Sequence, residues 1–147
     1  MGIEIWMPAV KAKWAEIEGI VQVHTYDDLP ASIQVVPCAI LLLSGGSYDY
    51  SAGGPSLAFH ELRAIVFVSL QILPEAMAVA VPFIERVRNK MAANWRLGGI
   101  VEHIVPAPGG RFYEGPGRVT YGDKEHLGIV FHFEVKQNET GTYTVSP

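Results

Sequence analysis

The chain is nearly devoid of cysteine: Cys38 is the single one in 147 residues. No internal disulfide and no thiolate metal cluster can therefore form. Within VVPCAILLL (residues 35–43) it is expected to be a small buried hydrophobe and not a reactive thiol. That same stretch is the longest apolar run and has about half the length needed to span a bilayer, so no membrane role is expected. Basic charge is also scarce. Lys and Arg number 11 against 15 Asp and Glu, a net charge of −4, whereas a free-standing nucleic-acid binder normally shows a basic face. The opening MGIEIWMPAV has Glu4 and no basic start, unlike a secretion signal. Without such a signal the sequon Asn138-Glu139-Thr140 carries no weight, and the expectation is a soluble protein made in a reducing compartment.

Catalytic signatures are missing as well. LLLSGGSYDYSAGGPS (residues 41–56) runs from an apolar strand into glycines, as phosphate-binding loops do. A P-loop, however, needs a Lys-Ser/Thr pair opening a helix, and this stretch has no lysine and ends in Pro55 before another strand pattern. A dinucleotide fingerprint would need a following helix and an acid about 20 residues on. His60-Glu61 lacks the second histidine of a metalloprotease, since residue 64 is alanine. His126 and His132 share a strand face but stand roughly 20 Å apart at strand rise, too far for one metal. No G-x-S-x-G elbow surrounds Ser44, Ser47 or Ser51. Asp27-Asp28 and Asp49 lack calcium-loop spacing, and the paired acids read as initiating the turn at Leu29-Pro30. No cofactor, no metal and no enzymatic activity are expected.

What is present is one globular domain over residues 1–147, with 49% hydrophobic and 18% charged residues. Val10, Trp14, Ile17 and Val21 recur at helical spacing, with Pro8 suited to the first turn and Gly19 marking the end. Residues 20–26 read as a short extended piece. Residues 35–43 form a continuous apolar strand covered on both faces. In residues 58–70, Leu62, Ala64, Val66, Val68 and Leu70 share one face; Ile65 and Phe67 lie on the other, which must be partly covered too. A second helix is predicted to start at Pro82, with Ile84, Val87, Met91 and Trp95 as its stripe and Gly98-Gly99 as its stop. Residues 100–105, 118–121 and 127–136 complete the strands, the last two joined by a turn at Gly122-Asp123-Lys124-Glu125. In the last strand Leu127, Ile129, Phe131, Phe133 and Val135 form a core face. The fold class is α+β: a mixed, mainly antiparallel sheet with two helices packed on it and long inter-strand loops. Trp14, Ile17, Val87, Met91, Phe131 and Phe133 are expected between helices and sheet.

Two glycine-rich loops stand out, residues 44–56 and 106–117. They carry Tyr48, Asp49 and Tyr50 in the first, and Arg111, Phe112 and Tyr113 in the second. Aromatic side chains on an adaptable backbone suit protein–protein contact, so these six residues are the candidate subunit or ring interface. The alternative is that the aromatics fold back onto their own domain.

A leading helix, YDDLPASIQVVPCAILLL, a long glycine-rich hairpin, VPFIERVRNKMAANWRLGG and the closing GPGRVTYGDKEHLGIVFHFEVK together resemble the tail-terminator and tail-completion proteins of long-tailed bacteriophages. The resemblance spans nearly the whole chain in order and length. It implies a virion structural protein of the tail and neck, assembled in the host cytoplasm as a homo-oligomeric ring, typically a hexamer. Such a ring caps the tail tube, ends its polymerisation and joins the tail to the head connector, so the implied partners are other copies of the chain, the tube protein and the connector protein. DNA would pass through the ring without specific binding, which the net negative charge suits. A head-closure ring of the same neck region is the near alternative. A small-molecule-binding domain, with Tyr48, Tyr50 and His60 lining a cleft, is the alternative of another class.

Overall fold

The computed structural model describes residues 2–49 and 56–139. The first helix, α1, spans Ile3–Ala15 and buries Trp6, Met7, Val10 and Trp14. Its spacing is that of one helical face. Pro8 sits inside the helix and not in its first turn. It lies on the exposed side, so the hydrogen bond it forfeits costs less than the burial of two tryptophans contributes. Val21 is exposed, contrary to the stripe drawn from the sequence, while Ile17 is buried just beyond the helix end.

Strand β1, Gln22–His24, pairs in parallel with the start of β2, Cys38–Asp49. Between them the acids sit in a turn, at Tyr26-Asp27 and so ahead of the expected Leu29-Pro30: the Thr25 amide donates to Asp28 Oδ1 at 2.7 Å and the Asp28 amide returns to the Thr25 carbonyl at 3.2 Å. β2 begins three residues later than the apolar run, and Val35 is exposed. It then continues through the glycines as an antiparallel partner of β3, Ser56–Ser69. Of the stretch 44–56 expected to be a loop, the described residues, 44–49 and 56, are therefore strand. Gly46 is required there, because a Cβ would stand 2.7 Å from the carbonyl oxygen of Phe59 across the ladder. A bulge between Leu43 and Gly45 absorbs the register change.

Helix α2 spans Pro74–Ala93, with Pro74 in its first turn. The predicted start at Pro82 is thus eight residues late; Pro82 is exposed within the helix. Ala80, Phe83, Val87 and Met91 form the buried stripe. Trp95 lies past the helix end and is exposed. Gly98 and Gly99 take positive φ in a short 3-10 turn after it.

Strands β4, His103–Pro106, and β5, Tyr113–Tyr121, share one edge of the long β6, Lys124–Glu139. β3 occupies the other edge. The sheet order is β1-β2-β3-β6-β4, with β5 beside β6. Among the described residues only the β1–β2 pair is parallel, so the sheet is mixed and mainly antiparallel. The fold is α+β, as the sequence predicts.

Both helices pack on one sheet face. There Trp14 meets Phe131 and Phe133 edge-on at 6.0 and 6.4 Å, and the six expected core residues are all buried. Lys90 ties α2 to Glu16 beyond α1 at 3.2 Å. The second face carries a smaller cluster of Ile33, Cys38, Ile40, Ile65, Phe67 and Val130, which meets the expectation for Ile65 and Phe67. Leu70, assigned to the core by alternation, is instead exposed past the end of β3.

Candidate functional site

β2 and β3 form a long antiparallel pair, with β6 on the other side of β3. Beyond Ile40 the outer edge of β2 has no strand beside it among the described residues. Ser44 to Tyr48 are exposed along that edge. Tyr48 is opposite Ala58, and its ring stands edge-on to His60 at 5.9 Å; His60 in turn lies against Trp6 at 5.7 Å. The tyrosine is thus supported at its base yet 49% exposed. Asp49 pairs in register with Leu57. Tyr50 lies outside the described residues.

The second candidate group divides. The loop is shorter than expected, because β4 ends at Pro106 and β5 begins at Tyr113. Arg111 is exposed on it. Phe112 is not a free contact residue: its ring packs on Phe133 at 5.3 Å and Phe131 at 5.6 Å. Here the fold-back alternative holds, since the two phenylalanines offer an apolar wall that a solvent-facing ring would forgo. Tyr113 remains 41% exposed at the start of β5. Tyr48 and Tyr113 do not converge: they stand level with Gln137 and Phe131 of β6, six residues or roughly 20 Å apart along the strand.

A polar cleft of about 540 Å³ opens under the 107–111 loop, on the sheet face away from the helices; of the residues expected to line a cleft, His60 borders it and Tyr48 does not, while its other polar residues were not anticipated. Its polar residues include Ser47, Glu61, Arg111, Glu114, His132 and Glu134. His132 is central. Its Nε2 lies 2.8 Å from Glu114 and its Nδ1 3.7 Å from Glu61. The hydrogen bond from His132 holds the Glu114 carboxyl below its ordinary range, against an opposing desolvation and with lesser help from the charges of His132, Arg111 and Arg63. His103 similarly meets Glu134 at 3.0 Å. The available signal was the polar alternate face of β6, His132-Glu134-Lys136, opposite Glu61 and Arg63. Nothing in the sequence brought the β5 residue Glu114 to it.

The arrangement sets two histidine–carboxylate pairs, His132–Glu114 and His103–Glu134, at a polar cleft. Among the described residues no group of three or more His, Cys, Asp or Glu side chains could hold a metal ion. Cys38 is 2% exposed, and burial pushes its thiol up to about 11, which leaves it without thiolate character near neutrality. No described helix is long and apolar enough to cross a membrane. Compared with known proteins, the chain matches no family model and no curated protein.

Proposed function

We propose that the chain is a ring-forming tail terminator of a long-tailed phage, which caps the tail tube, ends its polymerisation and joins the tail to the head connector. The observation that carries this reading is the β2–β3 hairpin. Beyond Ile40 its outer edge has no strand beside it among the described residues, and on that edge stands an exposed Tyr48 whose base is braced on His60 and Trp6. An unpaired strand edge next to an anchored aromatic is a surface for another chain. A closed ring satisfies such a heterologous surface on every subunit and leaves no open end. Six copies would line a passage for DNA with net negative charge, the tube protein would meet one rim and the connector protein the other. A head-closure ring of the same neck would use the same features.

The test is to add the purified protein to polymerising tail-tube protein and measure tube lengths by negative-stain microscopy. Shorter, capped tubes are expected with the wild type and uncapped tubes with Tyr48→Ala. Unchanged tube lengths with the wild type would contradict the proposal.

The polar cleft favours a second reading, binding of a polar small molecule through Glu61, Glu134 and Arg111. A ligand-dependent melting shift that is lost on Glu61→Ala would support it.

A further inference from the structure

The anomaly on the helix side of the molecule is apolar exposure at the start of α2. Leu70, Ile72, Leu73, Met77 and Val81 are each between 38% and 53% exposed. Leu73, Met77 and Val81 follow at four-residue intervals, a row up one flank of the helix that is separate from the buried stripe of Ala80, Phe83, Val87 and Met91. Surface helices carry charge on such a flank, and a helix apolar on more than its core stripe is one that packs on a second body. The open area of the five side chains is on the order of 400 Å², within the span of the largest functional patches on monomers. It is about half of the ~800 Å² that one side of a stable interface covers. The rest would come from the polar rim, for which Gln71, Glu85 and Arg88 are exposed around the patch.

We infer that this flank of α2 is the surface through which one copy of the chain docks on the next. The inference rests on the ring reading and names a contact for it. Two observations choose the occupant. Residues 70–85, which hold the patch, contain no Lys or Arg and include Glu75 and Glu85, and Arg88 is the one exposed basic residue at its rim, whereas a helix that lies on an anionic bilayer is rich in Lys and Arg beside its apolar face. An uncharged centre of Leu, Ile, Met and Val is the composition of contacts between identical subunits, which are more apolar than transient ones. The patch also differs in place from the hairpin edge: it flanks α2 on the helix layer, so hairpin and helix can serve different contacts in the same assembly.

The test is sedimentation velocity of the full chain over a wide concentration range, comparing wild type with Met77→Lys/Val81→Lys and with Val81→Ser. Both positions are exposed, so the variants should melt with the wild type, and the melt is recorded for each. The wild type is expected to associate, with the double variant weakened about 100-fold or more and Val81→Ser weakened less. Association that is unchanged in a folded double variant would overturn the α2 contact while leaving the ring reading intact. A wild type that stays monomeric at every concentration would overturn docking through this surface between free copies, and one that binds lipid vesicles instead would assign the patch to a membrane.

Discussion

The hydroxyl of Tyr121, at the end of β5, donates to the carbonyl oxygen of Pro30, 91 residues earlier in the chain. The same ring stands edge-on to Phe67 at 5.8 Å. One side chain thus holds the segment between β1 and β2 over the second face of the sheet. Tyr121→Phe keeps the ring and removes the bond, and should cost about 1 kcal/mol in urea denaturation. Tyr121→Ala should cost clearly more, since it also uncovers Phe67 and Ile65.

The main core should be far less tolerant. Phe131 is fully buried between Trp14, Phe112 and the sheet. Phe131→Ala should destabilise the domain by about 3–5 kcal/mol, a large share of what a domain of this size possesses. A loss below about 1 kcal/mol would mean that the face of β6 is inverted.

These two residues also mark what could be read from the chain. The face of β6 was legible because five large apolar residues alternate without interruption. The second apolar face was legible from Ile65 and Phe67 for the same reason. Helix starts were misread because proline favours a first turn, yet both Pro8 and Pro82 are placed where the missing bond faces solvent. Glycines after Leu43 suggested a loop, but Gly46 answers a close approach of Phe59 that appears only once β2 and β3 are paired. Phe112 was read as a contact residue because nothing local shows that Phe131 and Phe133 lie beneath it. Most of the polar lining of the cleft was invisible for a similar reason: Glu61, Glu114 and His132 come from three strands.

Cys38 should be inert in the folded protein. Its thiol is raised from 9.0 to about 11 by burial, so the folded state holds the proton more tightly than the unfolded chain. The associated stability is complete below about pH 9 and is lost as pH rises through 11. Native protein at pH 8 should therefore fail to react with Ellman's reagent on a time scale of minutes, and should react at once in denaturant. Rapid labelling of native protein would show that the second face opens.

Glu114 gives the opposite dependence. Its carboxyl is lowered by the hydrogen bond from His132, so its contribution is present above the ordinary carboxylate range of about 4.3. That contribution is lost as pH falls through the lower folded value. Glu114→Gln should flatten the acid limb of stability against pH, followed by urea midpoints between about pH 3 and 6, and change little near neutrality. An acid limb identical to wild type would show that the His132 pair contributes nothing to stability.

The most direct test of the terminator reading is an electron-microscopic reconstruction of the assembled particle that carries this chain. The expected result is a closed, six-fold ring of this chain seated at the head-proximal end of the tail tube. Its hairpins, including Tyr48, should contact a neighbouring subunit or the adjoining ring. A single asymmetric copy, or the absence of the chain from the tube end, would contradict it.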